Sequence, residues 1–188
     1  MPEIVRYVAF LRGINVGGNK LIKMDALADV FRSAGFRNVK TYIASGNVIF
    51  DTRASGRDAL AKKIERKLLE AFGHEITAVL VPLSELESLV AKNPFKRIKN
   101  GRDVMLFVTL LAKPVSPPKE QIESITDKLE VVEVRDRATF TVARRKATGW
   151  FGFPNNFIEK VFRVPATTRN WSTLEKIVVV ASSEKSRQ

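Results

Sequence analysis

A switch of hydrophobic period near the N-terminus constrains this chain more than any other feature. Residues 4–11, Ile-Val-Arg-Tyr-Val-Ala-Phe-Leu, are rich in β-branched and aromatic residues, as a strand requires. Leu27, Val30, Phe31 and Ala34 then recur at the i, i+3, i+4, i+7 spacing of a helix face, and Gly35 supplies a stop. Between the two lies Leu11-Arg-Gly-Ile-Asn-Val-Gly-Gly-Asn-Lys20. Gly13, Gly17 and Gly18 let the backbone turn tightly and approach another group, while Arg12, Asn15, Asn19 and Lys20 offer donors. A strand-to-helix turn of this composition can cradle an anion. Its spacing is neither the phosphate loop G-x-x-x-x-G-K-[ST] nor the dinucleotide fingerprint G-x-G-x-x-G. The plainer alternative is that the glycines only shape the way into the first helix.

The alternation continues along the chain. Strands are expected at about 39–43 and 47–51, joined around Ser45-Gly46-Asn47, where Gly and Asn tolerate positive φ. Leu60, Ile64, Leu68 and Phe72 mark a second helix, begun by Ser55 or Asp58 and ended by Gly73, and residues 76–81 read as a strand. The order β-α-β-β-α-β is the split arrangement of a ferredoxin-like unit. Ser84-Glu-Leu-Glu87 is a capping-box pattern for a helix through about Ala91, and Asn93-Pro94 ends it. Val104–Leu111, almost continuously apolar, is expected as a strand covered on both faces or central in its sheet. Pro114, Pro117 and Pro118 lead to a helix predicted over about 118–129, with Ile122, Ile125 and Leu129 on one face. A hairpin follows, 131–135 and 138–144 with Asp136 in its turn, then helices near 155–162 and 171–179. The fold class is α+β: two ferredoxin-like (α/β plait) halves, residues 1–82 and 83–188, with additional helices.

Thr41-Tyr-Ile-Ala-Ser-Gly-Asn-Val-Ile-Phe50 and Ala166-Thr-Thr-Arg-Asn-Trp171 accompany the glycine turn. Together the three motifs, in this order, resemble the bacterial family of unknown function DUF1697, and the likeness extends over nearly the whole chain. The resemblance implies two plait halves and a short list of positions, without a reaction. It implies that Ser45 and Asn47 face the first loop. It also makes Ile177–Val180, which has strand propensity, the tail of the last helix. Thr167, Thr168, Arg169 and Asn170 precede a second capping-box pattern, Ser172-Thr-Leu-Glu175, and the simplest account is helix initiation. Arginine at a helix N-terminus opposes the helix dipole, so a nearby carboxylate, carbonyl or bound anion is expected beside Arg169.

The net charge of +12 attracts polyanions through phosphate contacts and counterion release, or else simply solubilises. Residues 92–113 and 135–146 hold local basic excesses. Arg144, Arg145 and Lys146 run into Trp150, Phe151 and Phe153, the mixture of cations and ring faces that single-stranded nucleic acid requires. The alternative sends the aromatics into the core, and this is favoured for Phe153 and Phe157 and less so for Trp150.

With no cysteine and one histidine, His74, the chain offers no disulfide, thiolate or cysteine-ligated metal, and no metal or other cofactor is expected. His74 follows a helix end, where capping carbonyls suits it better than base catalysis. Asp51, Glu159 and Glu175 show no pairing in their spacing. No apolar run approaches the roughly 18 residues of a membrane span, and Met1-Pro-Glu-Ile-Val-Arg lacks a signal-peptide pattern, so a cytoplasmic protein is the expectation. Two function classes remain. One is nucleic-acid binding through the basic loops. The other is a small-molecule site, enzymatic or regulatory, in the groove between the halves, with Arg12, Asn15, Asn19, Lys20 and Arg169 on a phosphate or carboxylate.

Overall fold

A computed structural model describes residues 3–15, 21–99 and 101–183. The chain divides into two compact units, 1–87 with 180–188, and 88–179. The division falls a few residues past Pro82, and the chain's last residues belong to the first unit.

The first unit runs β1 (Ile4–Leu11), α1 (Met24–Ser33), β2 (Arg37–Tyr42), β3 (Asn47–Arg53), α2 (Arg57–Phe72) and β4 (Ala78–Pro82). Its strands are ordered β2-β3-β1-β4 and every pairing is antiparallel. One face of the sheet carries Tyr7, Ala9, Leu11, Val48, Phe50 and Leu80. It packs against Leu27 and Phe31 of α1 and Leu60, Ile64 and Leu68 of α2, the helix stripes expected from the sequence. Gly73 closes α2 in the left-handed conformation, whereas its start is Gly56 with no side-chain cap among the described residues. Neither Ser55 nor Asp58 holds that position.

On the opposite face sits a buried ion pair. The Arg6 Nε and Nη2 donate to the two Asp51 oxygens at 2.6 and 2.8 Å, and Asn38 Nδ2 adds a third bond at 2.7 Å. Arg6 Nη1 also donates to the Ala181 carbonyl at 2.9 Å, tying the C-terminal end of α5 (Trp171–Ser182) to the strand where the chain begins.

α3 (Leu83–Lys92) starts at Leu83, directly after β4, so Ser84 lies inside its first turn rather than at a capping position. Glu87 of the expected capping box instead accepts a hydrogen bond from Ser182 Oγ at 2.8 Å. The helix ends before Asn93, as the following proline dictates.

The second unit contains β5 (Val104–Leu111), β6 (Glu123–Ser124), β7 (Leu129–Arg135), β8 (Ala138–Arg144), α4 (Asn155–Phe162) and β9 (Ala166–Asn170), with the sheet ordered β6-β7-β8-β5-β9. β5 lies inside the sheet, as its apolar run requires. Two sequence expectations fail here. The helix over 118–129 does not form: Ile122 packs with α4 and β9, Ile125 is 84% exposed, and Leu129 opens β7. Ser124 Oγ accepts the Asp127 N–H at 3.3 Å, the local side-chain bond that competes with helix. Second, Thr167–Asn170 is not a helix-initiating loop but part of edge strand β9, paired to β5 from Phe107↔Asn170 to Leu111↔Ala166. α5 follows at Trp171 without a break, so Ser172 is inside it, and Ile177–Val180 is helical.

Phe95, Phe140 and Trp171 meet edge to face on one side of this sheet. On the other, α4 sets Ile158 against Leu111, Val131 and Ala166.

Candidate functional site

In the first unit the glycine turn leaves β1 with its backbone pinned. The Leu11 N–H donates to Gly46 O at 2.8 Å and the Arg12 N–H to Thr77 O at 2.9 Å. Gly13 is left-handed (φ 68°), as is Asn15 (φ 56°). Asn15 bonds only backbone in the described structure: Nδ2 donates to Ile22 O at 3.0 Å and Ala44 O at 2.9 Å, and Oδ1 accepts the Ile22 N–H at 2.7 Å. It staples the two ends of the loop to the 43–46 turn. Gly17, Gly18, Asn19 and Lys20 lie outside the described residues.

The neighbouring turn also carries bonds of its own. Asn47, fully buried, donates to Tyr42 O at 2.9 Å and Ser45 Oγ at 3.0 Å. Gly46 is required there twice over, by φ 79° and because a Cβ would stand 2.5 Å from Ile14 Cδ1. Ser45 and Asn47 therefore do lie beside the first loop, through the Leu11–Gly46 and Asn15–Ala44 bonds.

In the second unit Thr167, Thr168 and Arg169 are buried in β9, while Asn170 is exposed at its end. Thr168 Oγ1 lies 2.8 Å from Thr109 Oγ1 and donates to Asn155 Oδ1 at 3.1 Å. Arg169 Nη1 donates to Thr167 Oγ1 and the Thr168 carbonyl, both at 2.8 Å, so a carbonyl and a hydroxyl accompany this arginine, and burial lowers its pKa to about 10. Arg169 remains a cation at neutral pH. Arg12 and Arg169 belong to different units.

The basic-aromatic segment is a structured loop. The Lys146 N–H donates to Trp150 O at 2.8 Å, and the Gly149 N–H to Lys146 O at 2.9 Å, with Gly149 left-handed at φ 85°. Arg145 serves as its internal brace. The guanidinium reaches Asp103 Oδ1 (2.9 Å), Gly149 O (2.9 Å) and the Arg102 carbonyl, and lies 4.9 Å from the centre of the Phe151 ring. Lys146 Nζ bonds Asp127 Oδ1 at 2.6 Å, which holds that carboxyl below its ordinary pKa, and Arg144 Nη2 stands 3.6 Å from Glu130. Gly152 completes the packing, since a Cβ there would meet the Asp127 carbonyl at 2.4 Å. The loop presents Trp150 to solvent, 77% exposed. Phe153 is 60% exposed rather than core, its ring standing edge-on to Phe107 at 5.5 Å, while Phe157 is partly buried.

His74 Nδ1 lies 3.0 Å from the Phe72 carbonyl, and Glu159 Oε1 accepts the Ala166 N–H at 2.8 Å. No group of three or more His, Asp or Glu side chains that could hold a metal occurs among the described residues. Nor does any described helix have the length and apolarity to cross a membrane.

The sequence model of the proteins of unknown function DUF1697 matches residues 4–140. The chain belongs to the DUF1697 family. The match takes in the glycine turn and the Ser45–Asn47 turn of this DUF1697 chain and ends at Phe140, ahead of the basic-aromatic loop and Ala166–Trp171. Among solved structures, the conserved bacterial protein SP0830 from Streptococcus pneumoniae is similar, with a TM-score of 0.68 and 18% identity over 96% of this chain and 99% of that one. The likeness is one of fold. No curated protein matches.

Sequence reasoning missed the buried Arg6–Asp51 pair, whose partners are 45 positions apart and on different strands. Alternation along β1 offered the one signal, a charged residue, Arg6, inside an otherwise apolar run.

Proposed function

We propose that this DUF1697 protein binds single-stranded nucleic acid through the loop of residues 144–153. The observation that carries the reading is Trp150: a large ring 77% exposed on a loop whose backbone is hydrogen-bonded within itself and braced by Arg145. An ordered loop holds such a ring ready to stack on a base at little entropic cost. Arg144 and Lys146 precede it in the same loop, Lys128 Nζ reaches that loop at the Arg145 carbonyl (3.3 Å), and the excess of +12 supplies the long-range attraction. Arg145, by contrast, is a positioning residue. The ion pairs of Arg144 and Lys146 are partly exposed, and water and phosphate compete with such pairs readily.

The strand orders support a finer reading of the fold as two ferredoxin-like halves. β2-β3-β1-β4 with a helix on each crossover is the split β-α-β-β-α-β arrangement. β7-β8-β5-β9 repeats the order, with β6 and its turn in the place of the first helix.

Titration of labelled oligo(dT) and oligo(rU) at two salt concentrations tests the function. Trp150→Ala should cost about 1–3 kcal/mol of binding with an unchanged melting temperature. Arg144→Ala with Lys146→Ala should flatten the log–log salt dependence by about 1–2, at roughly 0.7 per phosphate contact. Binding by Trp150→Ala equal to that of the parent chain would reject the reading.

A further inference from the structure

A second feature, confined to the first unit, points to a ligand of different chemistry. A cavity of about 850 Å³ opens where the C-terminal end of α1, strands β2 and β3, and the first turns of α2 converge. Ile4, Ala34, Phe36, Ala59 and Leu60 give it apolar walls. Its charged lining residues are Arg37, Arg53 and Lys63 against Asp51, three positive and one negative, a balance of +2.

The carboxylate is already engaged. Asp51 is buried, and Arg6 and Asn38 occupy both of its oxygens, so it offers the cavity little negative charge although Arg37 stands opposite it across β2 and β3. Among the described residues, Arg37 and Arg53 make no hydrogen bond or ion pair with any carboxylate, in contrast to Arg144, Arg145 and Lys146. Lys63 is held in place, its Nζ donating to Ala34 O at 2.8 Å and lying 5.0 Å from the Phe36 ring centre, with two ammonium hydrogens left over. A cavity with two guanidinium forks, a fixed ammonium and apolar walls matches a dianion on an apolar body.

We infer that this cavity binds a small organic phosphate monoester, the phosphate between Arg37 and Arg53 and its organic group against Ile4, Phe36 and Leu60. Nothing in the inference depends on the nucleic-acid reading, because no residue is shared between the two.

The test is an amide NMR titration of the full chain with phenyl phosphate, inorganic phosphate and phenol. Phenyl phosphate should give saturable shifts in residues 34–38 and 52–60, inorganic phosphate should bind several-fold more weakly, and phenol should give no saturation. Arg37→Ala with Arg53→Ala should weaken phenyl phosphate binding by about tenfold or more, while Arg66→Ala, an exposed cation of α2 paired with Glu70, should leave it unchanged. Arg37→Lys with Arg53→Lys keeps the charge and removes the forks, so it should weaken binding even if the alanine pair fails to fold. Equal losses from Arg66→Ala and the alanine pair, full affinity in the lysine pair, or shifts confined to residues 144–153 would each overturn the inference.

Discussion

At the scale of single residues, the costliest choice in the chain is the buried pair of Arg6 and Asp51. Both side chains are more than nine-tenths buried, and the guanidinium satisfies two carboxylate oxygens and the Ala181 carbonyl at once. Arg6→Ala leaves an uncompensated buried carboxylate, so urea unfolding should show a loss of about 3–5 kcal/mol. Arg6→Met combined with Asp51→Leu should recover much of that loss, because an apolar pair carries no desolvation penalty. A loss below about 1 kcal/mol in the single variant, the range of exposed pairs, would show that water reaches the site. Gly46 poses a smaller and separate constraint. Gly46→Ala should destabilise by about 1–2 kcal/mol for the left-handed backbone alone, and more because Ile14 must move. Gly13→Ala, at φ 68° with no described atom within 4 Å of its Cβ, should show the backbone cost without the clash. Equal losses at the two positions would mean that Ile14 relocates freely.

Elements were legible where an apolar stripe was long enough to repeat. Leu60, Ile64 and Leu68 predicted α2, and all three are buried in one core. Ile122, Ile125 and Leu129 have comparable spacing, yet one packs in the core, one faces water and one begins a strand. The difference lies in Ser124 and Asp127, which bond locally, and in Lys128, which takes φ 51° and ends any helical continuation. β9 was illegible for another reason. Ala-Thr-Thr-Arg-Asn has neither alternation nor an apolar run, and its strand conformation comes from pairing with β5, 59 residues away at Thr109 and Thr168. The basic-aromatic loop is an element with its own pH dependence. Asp127 is held below its usual 3.8 by Lys146, so the pair's contribution is present above that value and is lost as the pH falls through the lowered one. Lys146→Ala should raise the Asp127 pKa toward 3.8 in a carboxyl NMR titration, and an unmoved value would assign the shift to Ser124 instead.

At the scale of the whole molecule the charge of +12 acts through its field rather than through any one contact. Association with single strands should therefore fall steeply with salt in the parent chain. Trp150→Ala should shift the whole curve without altering its slope, and stopped-flow rates at two ionic strengths would separate attraction from stacking. A slope reduced by Trp150→Ala would mean that the ring positions cations rather than stacking on a base. The sequence by itself determined the alternation of strands and helices in the first unit, the hairpin of β7 and β8, the glycine-dependent turns and the absence of cysteine chemistry, because each follows from neighbours within a few positions or from composition. Only the tertiary structure decided that Thr167–Asn170 is a strand, that 118–129 is not a helix, that Arg145 braces a loop while Trp150 faces water, and that Arg37, Arg53 and Lys63 line one cavity. Those outcomes depend on hydrogen bonds and packing between segments distant in sequence, and no local pattern carries the free energy of a partner it has not yet met.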